Sequence, residues 1–143
     1  MKKLYIYLTT LFVLSAVILA ACAVGAAGAS KSLVGIWRLV SYGSPENPTT
    51  AAADVDTSIT FTEDGKIEGN VGCNGFGGGY TVDGNTITFG PIVSTLMFCE
   101  GPVGDQETTT LNVFVESVPF VMEGDTVTIT SADGSEVVVL ARK

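Results

Sequence analysis

Cysteines, paired carboxylates and a glycine-rich loop are the parts of this 143-residue sequence with the makings of chemistry. Cys73 and Cys99 stand 26 residues apart and offer a nucleophile, metal ligands or a disulfide. A thiolate nucleophile needs a base, and the chain contains no histidine, so neither a Ser-His-Asp nor a Cys-His arrangement can be assembled. The same lack removes the commonest metal ligand. The carboxylate pairs Asp54/Asp56 and Glu63-Asp64 fall in expected loops and turns, where solvation accounts for them, and they lack the ligand spacing of a calcium loop. The glycines at 72, 75, 77, 78 and 79 resemble a phosphate cradle only superficially. They have no Gly-Lys-Ser/Thr ending and no following helix, and no basic residue lies between Lys66 and Arg142. A bulge, a tight corner or a close backbone approach is the better reading, with Asn74 in a turn or capping backbone groups through its side chain. No catalytic residue, metal or cofactor is expected.

The first segment sets the compartment. Lys2 and Lys3 precede an apolar run from Leu4 to Ala21, the pattern of a secretory signal peptide. A membrane-spanning helix is the competing reading, because the run approaches the ~20 residues that cross a bilayer. Leu19-Ala20-Ala21-Cys22 resembles the lipobox of bacterial lipoproteins, in which the cysteine is lipidated and becomes the mature N-terminus. Cleavage near Ala27-Gly28-Ala29 would instead discard Cys22. The lipoprotein reading divides the chain into a signal peptide (1–21), a flexible tether of small residues (22–32) and a folded domain (33–143). Ala23 follows the cysteine, and this resemblance favours the outer membrane if the cell has one, or otherwise the outer face of the cytoplasmic membrane.

Charge narrows the partners. Loss of residues 1–21 removes two lysines and no acid, taking the formal charge from −8 to −10. A surface so acidic excludes nucleic acid and is weakly drawn to anionic headgroups, which leaves anchoring to acyl chains on Cys22. Export to an oxidising compartment favours a Cys73–Cys99 disulfide, with two buried thiols as the alternative.

The elements that must position these residues are mostly short strands. Ile36, Arg38 and Val40 alternate with Trp37, Leu39 and Ser41; Ile59/Phe61, Ile67/Gly69/Val71, Tyr80/Val82, Ile87/Phe89, Phe120/Met122 and Val127/Ile129 repeat that period, with a last strand from Val137 to Leu140. Glu63-Asp64-Gly65-Lys66, Asp83-Gly84-Asn85, Gly124-Asp125 and Ala132-Asp133-Gly134-Ser135 read as turns, and residues 43–56 as a surface loop. One stretch differs: from Asp105 to Val118, the residues Leu111, Phe114, Val115 and Val118 follow a helical period, with Asp105 as N-cap, Glu107 in the first turn and Pro119 as the stop. The fold class is mainly β (α+β), a small antiparallel curved sheet or barrel with one helix at its side or end. Trp37, Phe61, Tyr80, Phe89 and Phe114 read as its core, the lining of a ligand cavity being the competing use.

Taken together, Gly35-Ile36-Trp37-Arg38-Leu39, Gly72-Cys73-Asn74 with Phe76, Gly78 and Tyr80, and then Thr95, Met97 and Cys99 resemble the META domain, the family of the heat-inducible lipoprotein HslJ. The resemblance covers about residues 33–142 and loosens at Thr108–Thr110, where family members carry a more apolar helix start. It implies a compact barrel-like domain with one helix, no established catalytic activity and a connection with stress. The expected function is therefore that of a non-enzymatic, lipid-anchored envelope protein acting in envelope maintenance or protein interaction. A carrier or pilot protein for a small hydrophobic ligand and an inhibitor of an envelope enzyme are the alternatives.

Overall fold

The computed structural model describes residues 32–143. The expected signal peptide, the expected lipidation position Cys22 and the expected tether up to residue 31 lie outside the described residues. The strands are β1 (Gly35–Gly43), β2 (Thr49–Thr50), β3 (Ser58–Phe61), β4 (Lys66–Asn70), β5 (Gly75–Asp83), β6 (Thr86–Phe89), β7 (Val93–Ser94), β8 (Ser117–Glu123), β9 (Thr126–Thr130) and β10 (Val137–Arg142). The helix α1 spans Gly101–Val113, between β7 and β8. Strands β1, β3, β4, β5, β6, β8, β9 and β10 pair antiparallel in that order, and β10 returns to β1, so the sheet closes into a barrel without free edges. The two short strands lie outside this ring, β2 against β1 and β7 against β5. Among the described residues no helix is long and apolar enough to cross a membrane.

Alternation explains most of the ring. Ile59, Phe61, Ile67, Ile87, Phe89, Val127, Ile129, Val138 and Leu140 turn inward and are buried, while their neighbours along each strand are more exposed. The expected hairpins are present, and the Asp-Gly turn after β3 places Gly65 at φ 75°, which L side chains rarely adopt. Strand β1 departs from strict alternation. Its register against β10 slips between Leu39 and Ser41, so Tyr42, rather than Ser41, follows Trp37 and Leu39 into the core.

The helix is displaced from the expected span. It begins before Asp105, with Glu100 at the N-cap position and Pro102 in the first turn, where a missing N–H costs nothing. It ends at Phe114, whose N–H bonds the Thr110 carbonyl at 3.2 Å, and Glu116 at φ 54° turns the chain into β8. Val118 and Pro119 therefore belong to a strand: Val118 pairs with Ile87 and Pro119 with Thr86. The 3-1-3 spacing of apolar residues ran across a helix end and a strand start that both supply core side chains.

The barrel has two unlike ends. At the turn end lie the tight connections at 62–66, 83–86 and 123–126, together with Ser32 and Lys143. There Arg142 lies 4.2 Å over the Trp37 ring and donates to the carbonyls of Val34 (3.1 Å) and Ser32 (2.7 Å). At the helix end lie the 43–58 loop, the 70–75 corner, α1 with its flanking loops, and the 130–137 turn. The core between them is aromatic: Phe61 meets Tyr80 edge-on at 5.0 Å, and Phe89 stacks on Phe114 at 4.9 Å. Trp37, Phe61, Tyr80, Phe89 and Phe114 are all buried in one cluster, as expected for core.

Candidate functional site

The Gly-Cys-Asn corner joins β4 to β5 at the helix end, in the connection 71–74 beyond the last pair of their shared ladder, Asn70 with Gly75. Peptide groups at such a corner have no ladder partner and must find one elsewhere. The first turns of α1 supply it. Glu107 Oε2 accepts from the backbone N–H of Cys73 (2.9 Å) and of Asn74 (2.7 Å), while Gln106 donates from Nε2 to the Val71 carbonyl. Gln106 Oε1 also accepts from the Ala52 N–H at 2.9 Å, tying the 43–58 loop to the same helix.

Asn74 extends the network outward. Its Nδ2 donates to Glu107 Oε1 at 2.6 Å and to the Met97 carbonyl at 3.0 Å. Its Oδ1 accepts from Thr95 Oγ1 at 2.7 Å and from the Met97 N–H at 2.8 Å. A disulfide between Cys73 and Cys99, with Cα atoms 6.4 Å apart, closes the same loop. Between these fastenings Leu96, Met97 and Phe98 project into solvent, at 96 %, 59 % and 88 % exposure.

Glycines make the close approaches possible. A Cβ on Gly72 would stand 2.6 Å from Glu107 Oε2 and 2.7 Å from its Cβ. On Gly78 it would stand 2.6 Å from Ile92 Cδ1 and 2.8 Å from the Pro91 carbonyl oxygen. The glycine run thus lets α1 and the 90–94 segment lie against the corner and β5, as close approach required.

Gly72, Cys73, Asn74, Thr95, Met97 and Cys99 are brought together in this knot. Phe76, Gly78 and Tyr80 follow along β5, with Phe76 and Tyr80 in the core and Tyr80 Oη donating to the Thr62 carbonyl at 2.8 Å. Gly35, Trp37 and Leu39 lie on β1 and take no part in the knot. The pairs Asp54/Asp56 and Glu63-Asp64 are exposed. Asp64 accepts from Thr62 Oγ1 and pairs with Lys66, each at 2.6 Å, and the hydrogen bond from Lys66 chiefly holds its carboxyl below the ordinary range.

Glu107 and Gln106 are the members that sequence reasoning missed. Glu107 is a buried cap for a corner 33 residues away, and not a charge for the helix's own first turn. With Thr110 and Val113 these two form the buried stripe of α1, so the inward face of the helix is largely polar. Thr110 Oγ1 is buried without a hydrogen-bond partner among the described residues.

Sγ of Cys73, Sγ of Cys99 and a Glu107 oxygen lie within 4.8 Å of one another, a grouping that also has metal-ligand chemistry. In the disulfide, however, neither sulfur is a thiolate, and both Glu107 oxygens already accept N–H groups. The arrangement is that of a fastening.

The profile of the META domain matches residues 31–143, the whole described barrel. The chain belongs to the META domain family. Solved structures share its fold. A protein from Burkholderia xenovorans, determined by NMR, is 18 % identical with a TM-score of 0.63, covering 76 % of this chain and 81 % of that one. A second NMR structure is 20 % identical with a TM-score of 0.58, covering 75 % and 87 %. The crystal structure of a DUF4847 family protein from Bacteroides vulgatus is 14 % identical with a TM-score of 0.53, covering 76 % and 92 %. No curated protein matches the sequence. In this META domain the Gly-Cys-Asn signature and the Thr95-to-Cys99 segment are two sides of one joint.

Proposed function

We propose that this META domain protein is a non-enzymatic, lipid-anchored component of the cell envelope, acting through interaction with another envelope protein in envelope maintenance or stress. One observation carries the reading: the polar groups gathered at the signature corner are occupied in holding loops. The Asn74 side chain makes four hydrogen bonds to oxygen and nitrogen partners, and Glu107 accepts three. A general acid or base needs an atom within reach of substrate, and these atoms face other protein groups. What the joint presents to solvent is an apolar loop, which suits contact better than chemistry.

The carrier alternative has less support. A small ligand would have to share the interior with rings already packed together, Phe89 stacked on Phe114 and Phe76 tilted against it at 6.0 Å. Native mass spectrometry of protein from its own host decides between the two, because a co-purifying lipid would overturn the interaction reading in favour of a carrier.

Anchoring rests on Leu19-Ala20-Ala21-Cys22. Palmitate labelling and globomycin-sensitive processing are expected in the wild-type chain and lost in Cys22→Ser. A Cys22→Ser chain that is processed and fractionates like wild type would remove the lipid anchor from the proposal.

A further inference from the structure

Leu96, Met97 and Phe98 form an apolar finger that the fold does not bury, and Val93 at its base is 70 % exposed. Single exposed apolar residues are ordinary; a contiguous run of them on a fixed loop marks a contact surface. The finger is fixed at three places. Cys99 is bonded to Cys73, Thr95 Oγ1 bonds Asn74, and both backbone polar groups of Met97 bond the same amide. A loop already held in one conformation loses little conformational entropy when a partner closes over it.

The electrostatic surroundings identify the partner's chemistry. The basic residues among those described are Arg38, Lys66, Arg142 and Lys143. No Lys or Arg occurs at 39–65 or 67–141, so every loop of the helix end lacks one. That end instead carries exposed acids, including Glu46, Asp54, Glu100, Asp105, Glu116 and Asp133. Glu100 directly follows Cys99, and Asp105 lies one turn into α1. The sign of this field disfavours an anionic lipid surface and a second copy of the same end, since like charges would face each other.

We propose that the finger is the docking element of this META domain and that its partner is a protein bearing an apolar pocket rimmed by Lys and Arg. Leu96 and Phe98 fill the pocket, and the acidic helix end meets the basic rim. The proposal rests on the interaction reading above and names its surface and partner class. Apolar anchors set the residence of such a complex, while complementary charge sets its encounter rate and salt dependence.

The test uses the full-length chain in its own host with a benzophenone amino acid at position 98 and, as reference, at position 82. Val82 lies at the turn end and is also exposed. Irradiation from position 98 is expected to give one discrete adduct, with the cross-linked partner peptide flanked by Lys or Arg. With that partner purified, Leu96→Ser/Phe98→Ser should weaken binding roughly tenfold or more, and Val82→Ser should leave it unchanged. Raising salt to about 0.5 M, where the Debye length is roughly 4 Å, should weaken binding further. Adducts from position 82 and not 98 would overturn the finger while leaving the interaction reading in place. Adducts from neither position would overturn both. An adduct with a second copy, flotation with phosphatidylcholine vesicles that depends on Phe98, or salt-insensitive binding would each overturn the cationic protein partner.

Discussion

Asn74 Nδ2 donates to Glu107 Oε1 across 2.6 Å, joining the β4–β5 corner to the second turn of α1 over 33 residues of sequence. The same carboxyl accepts the Asn74 backbone N–H, so side chain and main chain of one residue are read by a single acid. The pair is buried, and each member leaves the other unsatisfied if it is changed.

Isosteric exchange isolates that relationship. Asn74→Asp keeps the acceptor for Thr95 and Met97 but turns an oxygen toward Glu107 Oε1 and the Met97 carbonyl. Chemical denaturation should show a loss of about 3 kcal/mol or more, because two buried donors become acceptors facing acceptors. Glu107→Gln should cost about 1–3 kcal/mol, since its new amide group must face a donor on one side or the other. Stability unchanged in both variants would mean that the network contributes nothing to the fold.

Closing a 26-residue separation with the Cys73–Cys99 disulfide should stabilise the domain by roughly 3–4 kcal/mol through the entropy of the unfolded chain. Cys73→Ser/Cys99→Ser should therefore unfold at lower denaturant with a similar near-UV spectrum. Mass spectrometry of the unreduced wild type should find no alkylatable thiol at either position.

Gly72→Ala tests the packing of the helix against the corner. The added methyl meets both Glu107 Oε2 and the Glu107 Cβ below 3.0 Å, so α1 must move outward. A loss of about 1–3 kcal/mol is expected, with amide shifts concentrated in residues 101–107. Gly84→Ala is the comparison: nothing lies within 4 Å of the added carbon, and only the positive φ of 56° opposes it.

The last turn carries a titration that can be followed directly. Hydrogen bonds from Ser131 Oγ foremost, then from the Ser135 N–H and hydroxyl, lower the Asp133 carboxyl from 3.8 to about 2. A depressed folded value favours the native state above the unfolded value, and that contribution is lost as pH falls through about 2. NMR titration of the side-chain carboxyl should place Asp133 at about 2, below its ordinary 3.8, and Ser131→Ala should move it back upward. A midpoint near 4 in wild type would remove these bonds from solution.

The strands and turns were legible because barrel walls obey a period of two and their hairpins require Asp-Gly or its equivalents. Ile59/Phe61, Ile87/Phe89 and Val127/Ile129 fall where alternation put them. The bulge that swaps Tyr42 for Ser41 shows in the sequence only as one break in the alternation, Val40 beside Leu39, which does not say where the extra residue sits. The helix limits were not legible either. Hydrophobic periodicity finds a helix by its apolar stripe, and α1 buries Gln106, Glu107 and Thr110. The corner partners of Gln106 and Glu107, Val71, Cys73 and Asn74, lie more than thirty residues away, and no local pattern announces such a contact. At the Gly-Cys-Asn corner Asn74 holds backbone groups through its side chain, a use its residue type suggests; the acid that completes the network stands in the sequence as an ordinary helical charge.

Asn74 holds the outer loop through the amide nitrogen and carbonyl of Met97, atoms that every residue but proline would offer alike. The side chains of Leu96 and Phe98 are therefore invisible to the barrel that displays them. Heritable change at those positions can alter what is recognised while folding proceeds as before. A lineage built on this scaffold is free to exchange Leu96 and Phe98 one by one, with the packing of the barrel indifferent to the choice.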